Sequence, residues 1–298
     1  MTPGSTDRYP HDHAPLADLL EHDDGPGREP ARKPRVASQD LAIAAIKVTD
    51  RDRAVLVSLR DHTYLTTRQV ERLHVRDDAS LSPLAATRRA HRYMARLFDL
   101  GLVDRLDRRI GGTRAGSAAY IWQLSPAGQR LVGRIVERRR PTPGWGHLAH
   151  ALDVAEVVVR LREHERTSAA RLVLAVETEP TCWRRYVTDY GKKRWLKPDL
   201  RVTLNVGGGE LHWFVEVDRG TEHRDALTYK ANTYLAAWRE GGEQVRAGVF
   251  PRVLWIVPNT RREAALRDLW AEVAGLPAGM MTTCLRPQAI AALCEAAR

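Results

Sequence analysis

Two neighbouring segments of the chain alternate apolar and polar residues with the period of two that is typical of β-strands. They cover residues 200–204 and 211–217. Gly207 and Gly208 lie between them, and such a glycine pair favours the tight turn of a β-hairpin. The pattern therefore predicts two antiparallel strands joined by a two-residue loop.

The register of this hairpin brings two acidic side chains together. With the glycine pair as the loop, Val206 pairs with Gly209, and counting outward sets Asp199 opposite Glu216. Directly opposed residues have Cβ atoms about 4.5–5.5 Å apart. Because adjacent carboxylates repel each other, a bound divalent metal is one reason for a fold to keep them together. Neutralisation by a nearby lysine or arginine is the other interpretation of the same pattern.

Helical spacing dominates an earlier part of the chain. Residues 54–59 predict a short buried helix, and the capping-box pattern from Thr66 to Gln69 predicts the start of a second. Ser82-Pro83 is typical of the start of a third helix, which Gly101 ends. The apolar positions of the third helix recur at helical spacing and predict its buried face, formed by Ala86, Ala90, Tyr93, Met94, Leu97 and Leu100.

Basic residues surround this third helix in sequence. Its exposed face is predicted to carry Arg88, Arg92 and Arg96, spaced four apart. Strands are predicted at 102–106 and 119–124. The glycine-rich loop between them adds Arg108, Arg109 and Arg114. Three helices, a strand, a loop, a strand and a helix are the order of a winged helix-turn-helix, whose last helix enters the major groove of double-stranded DNA.

The arginines of such a domain would contact phosphates, or guanine through paired hydrogen bonds. A winged helix that binds protein or forms a homodimer has the same pattern of elements, so this alternative stays open.

A second region follows, with a different order of elements. A long helix is predicted at 147–165 and a buried strand at 172–176, before the hairpin. A helix at 225–238 and a strand at 253–257 come after it. Helix, three strands, helix and strand are the core of the restriction-endonuclease-like fold, so the predicted fold class is α/β plus α+β.

These elements divide the chain into four predicted parts. Residues 1–39 are polar and predict a disordered tail. Residues 40–140 form the winged helix-turn-helix domain, residues 141–146 are a linker rich in proline and glycine, and residues 147–298 form the nuclease-like domain.

Composition indicates a polyanionic partner. The 298 residues carry a formal net charge of +10, and nucleic acid is the most common partner of such a chain. Lys192, Lys193 and Arg194 lie among aromatic residues, which suits a nucleic-acid backbone and unstacked bases. A basic loop with its aromatic side chains turned inward is the alternative.

The three cysteines include no Cys-x-x-Cys pair, which favours a reduced, cytoplasmic compartment over a disulfide framework or a zinc ribbon. No apolar run approaches the roughly 20 residues needed to span a bilayer, so a membrane is not among the predicted partners.

The acidic hairpin also resembles a known signature. Pro198-Asp199 and Glu216-Val217-Asp218 are similar to the Pro-Asp and Glu-x-Lys motifs of PD-(D/E)XK nucleases. The resemblance implies that Asp199 and Glu216 hold Mg²⁺ or Mn²⁺, with Glu156 as a supporting acid from the preceding helix. Asp218 stands where the family has lysine, so it is a further candidate metal ligand, and Lys230 on the following helix is the candidate replacement for the lysine.

The chain as a whole resembles the replication-relaxation family of actinobacterial plasmids and other mobile elements. Four stretches carry the resemblance: residues 65–70, 97–103, 147–152, and Pro198-Asp199 with 214–221, continued by Lys230 and Tyr234. It implies a role in plasmid replication or in relaxation and conjugal transfer of DNA.

Three functions fit these features. The first is a DNA-binding protein of a mobile element whose nuclease-like domain grips or nicks DNA. The second is a Mg²⁺-dependent endonuclease proper. The third is a non-catalytic adaptor that recruits a relaxase or a replication initiator protein.

Overall fold

The structure is a computed structural model, and it describes residues 38–76, 80–110, 119–133, 143–168 and 172–295. Its mixed content of helices and strands confirms the α and β character predicted from the sequence. None of the described helices has the length and apolarity needed to cross a membrane.

Helices surround a small sheet in the first region. The helices are α1 (Ser38–Lys47), α2 (Asp50–His62), α3 (Thr67–His74), α4 (Pro83–Asp99) and α5 (Pro126–Leu131). The strands are β1 (Leu65–Thr66), β2 (Val103–Ile110) and β3 (Ala119–Leu124), in the order β1-β3-β2. The order α2, α3, α4, β2, β3, α5 is the one that the sequence patterns predict, while α1 and the short β1 are additional.

Local capping fixes where these helices begin. The Thr66 hydroxyl accepts a hydrogen bond from Gln69 N at 3.1 Å, and the Gln69 side chain accepts one from Thr66 N at 3.0 Å, which confirms the predicted capping box. Ser82 caps α4, with proline at the start of the helix. Gly101 has a φ of 69°, a left-handed conformation that glycine adopts without strain as α4 ends.

The second region is built around a five-stranded sheet in the order β10-β9-β8-β7-β4. The strands are β4 (Val173–Thr178), β5 (Arg184–Val187), β6 (Lys193–Leu196), β7 (Leu200–Val206), β8 (Gly209–Val217), β9 (Arg252–Val257) and β10 (Met281–Leu285). β7 is antiparallel to β4 and β8, whereas β9 is parallel to β8 and β10. β5 and β6 form a separate hairpin that the sequence patterns do not predict.

Helices cover both faces of this sheet. They are α6 (Trp145–Thr167), α7 (Arg224–Glu240), α8 (Gly242–Ala247), α9 (Thr260–Ala271) and α10 (Ala289–Cys294). One apolar cluster joins α6 and α10 to the sheet, and another joins α7 and α9 to its opposite face. Because both faces are covered, the central strands are apolar over most of their length.

The β7–β8 hairpin has the predicted register. Val206 pairs with Gly209, and Leu200 pairs with Val215 near the open end. Gly207 and Gly208 have φ values of 60° and 84°, as the two central residues of a type I′ turn require. Asp199 and Glu216 therefore lie one step beyond the last pair of the ladder.

Helix α6 packs against both regions. Its Ala155 lies in the apolar cluster of the first region, while Val158 and Leu161 lie in that of the second. The helix begins at Trp145, so the last two residues of the predicted linker belong to it. Helix α1 begins at Ser38, so it includes the last two residues of the predicted N-terminal tail. The rest of the predicted tail, residues 1–37, lies outside the described part of the chain.

Candidate active site

Asp199 and Glu216 are buried at the open end of the β7–β8 hairpin, with 6% and 1% of their surfaces exposed. Asp199 N donates to Val215 O at 3.1 Å and continues the strand pairing. The backbone N–H of Val217 donates to Asp199 Oδ2 at 2.7 Å. This bond holds the Asp199 carboxylate against β8, next to Glu216.

Two side chains from α7 meet the Glu216 carboxylate. The Tyr234 hydroxyl donates to Oε1 at 2.5 Å, and Lys230 Nζ forms an ion pair with Oε2 at 2.7 Å. Residues four apart lie on the same face of a helix, so one face of α7 supplies both groups. The Lys230 ammonium also lies 5.2 Å from the centre of the Trp255 ring, where a cation is attracted to the aromatic face.

The electrostatics of the site follow from burial and from this cation. Burial raises the pKa of Glu216 to about 7, the charge of Lys230 opposes the rise, and the charge of Asp199 adds to it. Burial lowers the pKa of Lys230, but Glu216 and Asp199 outweigh it and the net pKa is raised. The site therefore contains a permanent cation beside a carboxyl group that titrates near neutral pH, a combination that is common at functional sites.

His150 on α6 completes the surroundings of Asp199, and the sequence patterns did not identify it. Its Nε2 lies 3.0 Å from Asp199 Oδ1. Burial lowers the pKa of His150, but the hydrogen bond and charge of Asp199 outweigh burial and raise it. The available signal was the spacing of His147 and His150, three apart on an apolar helix within the 147–152 stretch.

A cavity of about 300 Å³ opens beside Asp199. Its wall comes from the end of α2, the first turns of α6 and the segment after β4, and includes His62, His147, His150, Glu179, Trp183 and Asp199. Glu216 and Lys230 do not belong to its lining. The acidic pair is therefore approached from the Asp199 side.

Glu156 does not join the acidic pair, which corrects its predicted role as the supporting acid. Its carboxylate accepts hydrogen bonds from Arg72 Nη1 at 2.6 Å and from Gln69 Nε2 at 3.3 Å, both on α3. Six residues separate Glu156 from His150, and at about 3.6 residues per turn this spacing directs the two side chains to different sides of α6.

Asp218 is also engaged elsewhere, which corrects its predicted role as a metal ligand. Arg262 Nε donates to Oδ2 at 2.5 Å, while Arg262 Nη2 and Gly220 N donate to Oδ1 at 3.2 and 2.8 Å. β8 ends at Val217, so Asp218 lies beyond the regular alternation of the strand and turns towards the start of α9.

The acidic pair supplies two carboxylates as possible metal ligands. The described part of the chain contains no group of three or more His, Cys, Asp or Glu side chains arranged around one ion. Mg²⁺ is commonly held by one or two carboxylates together with water and substrate phosphate, so two carboxylates fit it. Glu216 Oε2 is buried and is paired with Lys230 Nζ at 2.7 Å, so a metal ion bound there would have to share this oxygen with the lysine or displace it.

The predicted DNA contacts of the first region fall into three groups. Arg88 and Arg92 are exposed on α4. Arg96 is instead bonded to the buried Asp52 of α2 and to Lys47 O at 3.4 Å. The side chains of Arg108 and Arg109, on β2, and the whole of Arg114 lie outside the described residues.

The basic residues predicted in the second region lie on the unpredicted β5–β6 hairpin. Lys192, Lys193 and Arg194 are exposed there. The structure thus brings together Asp199, Glu216 and Lys230, adds His150 and Tyr234, and separates Glu156 and Asp218 from them.

Fold and site define the class as a mixed α/β protein in which a compact helical region is joined to a sheet with a buried acid–lysine centre. A family model described as replication-relaxation matches residues 56–253, more than half of the chain. The chain belongs to the replication-relaxation family. Neither a curated protein nor a solved structure gave a significant match.

Proposed function

We propose that the protein binds double-stranded DNA of a plasmid or other mobile element, and acts in its replication, relaxation or conjugal transfer by gripping or nicking it. Membership of the replication-relaxation family supports the biological setting. The observation that carries the chemistry is the ion pair between Lys230 and Glu216, 2.7 Å long and next to Asp199. It places a lysine at the acidic pair, although Asp218 occupies the position where the nuclease signature has one.

The first region would be the DNA reader. Its helices α2, α3 and α4 followed by the β2–β3 ribbon are in the order of a winged helix, with α4 as the helix that enters the major groove. Arg88 and Arg92 project from α4 into solvent and are placed to contact phosphate or guanine.

The second region supports the nuclease-like interpretation by its topology. The order α6, β4, β7, β8, α7, β9 has three antiparallel strands followed by a parallel fourth, as the restriction-endonuclease-like core does. Asp199 and Glu216 are the residues that would hold Mg²⁺ or Mn²⁺. The ion would activate water and offset negative charge on the phosphate.

The chain's own groups have separate tasks in this proposal. The Val217 N–H and the Tyr234 hydroxyl each donate to one carboxylate and fix its orientation. Lys230 stays protonated, so its ammonium is available to contact a phosphate once the acidic pair is engaged by an ion. His150 bonds to the outer oxygen of Asp199 and orients it towards the cavity.

A non-catalytic adaptor that recruits a relaxase or replication initiator is the second candidate. The ion pair between Lys230 and Glu216 also supports the adaptor, because Lys230 already balances the charge of Glu216 without a metal ion. A carboxylate that is neutralised by lysine has no electrostatic need for a metal.

A plasmid-nicking assay separates the candidates. Supercoiled plasmid is incubated with the protein and Mg²⁺ or Mn²⁺, beside the Asp199→Asn, Glu216→Gln double variant. We expect relaxation to open circles by the unaltered protein, with at least 100-fold loss in the double variant. Asp225→Asn, an exposed acid in the first turn of α7, is the matched control and should keep full activity.

Binding without nicking under both metals would refute nicking and leave a protein that grips DNA, whereas neither binding nor nicking would favour the adaptor. Nicking that persists in the double variant would show that cleavage uses other residues.

A further inference from the structure

The β5–β6 hairpin exposes large aromatic side chains, which is unusual on a protein surface. Tyr190 in its turn is 91% exposed, and Trp195 on β6 is 53% exposed. Tyr229, on α7, is 68% exposed. Aromatic rings carry large apolar areas and are normally buried or held in an interface, so a group of exposed rings marks a binding surface.

The hairpin that carries Tyr190 and Trp195 is anchored to the rest of the second region. The Arg184 guanidinium bonds to Glu243 at 3.1 Å and to Glu177 at 2.7 Å. Tyr186 and Leu196 are buried in the apolar cluster beneath α7. Trp195 is therefore exposed because of strand alternation, with one side of the hairpin packed and the other left open, whereas Tyr190 is exposed because it lies in the turn.

The register determines which residues share the open side. Arg185 pairs with Trp195, and Val187 pairs with Lys193. Residues that oppose each other, and residues two apart on a strand, lie on the same face. All four are exposed, so the outer face of the hairpin combines a tryptophan ring with two cations.

Tyr229 lies next to this hairpin. Burial raises the pKa of Tyr186, while nearby Thr233 and Arg194 lower this pKa and nearby Tyr229 raises it. Since Tyr186 pairs with Arg194 and faces α7, Tyr229 and Arg194 lie at the edge of the packed side of the hairpin rather than on its outer face.

The cations of the hairpin are not neutralised by the protein. Arg185, Lys192, Lys193 and Arg194 are all exposed, and within the described residues none of them forms an ion pair. Asp189 is the one acidic residue among positions 184–196. A surface with uncompensated positive charge around exposed rings is complementary to a ligand that has both phosphates and flat apolar faces.

We propose that the outer face of this hairpin, formed by Arg185, Lys193 and Trp195 together with Tyr190 in the turn, binds single-stranded DNA. Bases stack on the aromatic rings and phosphates contact the cations, as in other single-strand binding surfaces. Duplex DNA does not meet these requirements, because the faces of its bases are already stacked on one another.

The hairpin lies next to the acidic pair, so single-stranded DNA bound to it would be close to the proposed nicking site. This role rests on the function proposed above. β6 ends at Leu196, and only Lys197 and Pro198 separate it from Asp199. The Lys197 ammonium lies 4.4 Å from the centre of the Trp183 ring, on the wall of the cavity beside Asp199. An unpaired strand held on the hairpin would therefore lie beside the acidic site.

The test measures binding of a fluorescein-labelled dT20 oligonucleotide to the full chain by anisotropy, with EDTA present so that metal plays no part. A labelled duplex of the same length is measured in parallel. We expect the Tyr190→Ala, Trp195→Ala variant to bind dT20 at least 10-fold more weakly, because it removes the two rings on which bases would stack. Duplex affinity should change less than twofold.

Trp238→Ala is the matched control, because it removes a 36%-exposed tryptophan from the C-terminal end of α7. It should leave dT20 affinity unchanged. Trp195→Phe keeps an aromatic face and should restore most of the affinity lost in Trp195→Ala, which a misfolded hairpin would not do.

Unchanged dT20 affinity in the double variant, equal loss in Trp238→Ala, or equal loss of duplex and dT20 binding would each overturn the proposal. Failure of plasmid nicking with intact dT20 binding would instead count against the metal site alone. The two proposals are thus tested separately.

Discussion

Lys230 decides how the acidic pair behaves at the scale of single residues. Without a cation beside it, a carboxyl group as buried as Glu216 would be neutral over most of the pH range, because burial disfavours its charged form. The ammonium of Lys230 opposes this effect and keeps the pKa of Glu216 at about 7. Lys230 on α7 thus supplies the cation beside Glu216. The nuclease signature supplies this cation from the strand position that Asp218 occupies here.

Replacing Lys230 by Met should therefore destabilise the protein more at pH 8 than at pH 5. At pH 8 the variant must either protonate Glu216 or bury its carboxylate unpaired, and we expect this to cost about 1–3 kcal/mol because Lys230 is partly exposed. At pH 5 Glu216 is protonated and needs no cation. Urea unfolding at both pH values measures the difference, and a loss of stability that is equal at the two values would contradict it.

At the scale of elements, the three arginines of α4 have different surroundings. Arg88 and Arg92 project into solvent, whereas Arg96 bonds to Asp52, which is only 1% exposed. Equal spacing on one helix thus produces two cations without an ion pair among the described residues and one that joins α4 to α2. The difference comes from the crossing of the two helices, which brings Asp52 under the last turn of α4.

The Arg88→Ala, Arg92→Ala variant should bind duplex DNA more weakly and depend less on salt. Each phosphate contact contributes about 0.9 to the slope of log affinity against log salt, so the slope should fall by up to ~1.8 if both contact phosphate.

Arg96→Ala is the contrasting variant. It should lower the free energy of unfolding by about 1–3 kcal/mol, because Asp52 loses its partner. DNA binding at several salt concentrations and chemical denaturation measure the two effects, and an unchanged slope in the double variant would contradict the role of α4.

At the scale of the whole molecule, α6 joins the two regions and frames the cavity between them. The Arg72 guanidinium of α3 bonds to Glu156 and Glu163 of α6, both at 2.6 Å. His62 at the end of α2 and His150 on α6 line the same cavity as Asp199. A change at this junction affects the stability of the first region and the surroundings of the acidic pair together.

Stability should therefore contain a pH-dependent term from His62. Burial lowers its pKa to about 4 from an ordinary value near 6.5, so the folded protein holds it neutral. The unfolded chain takes up a proton at higher pH, and this contribution to stability is present above pH 6.5 and is lost as the pH falls towards 4. Up to ~3 kcal/mol is lost in this range, at about 1.4 kcal/mol per pKa unit.

His62→Gln isolates the term, because His150 and Glu216 have raised pKa values and act in the opposite direction in both proteins. On acidification from pH 7 to pH 4, the unaltered protein should lose more stability than the variant does. Thermal unfolding across this range measures the difference, and parallel curves for the two proteins would contradict it.

The hairpin register, the capping box at Thr66 and the end of α4 at Gly101 were all predictable from the sequence, because each depends on residues within a few positions of one another. The meeting of Asp199 with Glu216 was predictable for the same reason, since a two-glycine turn leaves one register. The β5–β6 hairpin was not predicted, because its strands are short and their outward residues are aromatic and basic, without a clean alternation.

The surroundings of the acidic pair were decided by tertiary structure. The sequence offered Glu156, Asp218 and Lys230 as possible companions, and only the packing of α7 on the sheet selected Lys230. Glu156 forms an ion pair with Arg72 of α3, and Asp218 forms one with Arg262 of α9. His150 of α6 bonds to Asp199. A charged side chain pairs with the opposite charge that packing brings within a few ångströms, and for side chains from separate elements that distance depends on how helices and sheet pack together.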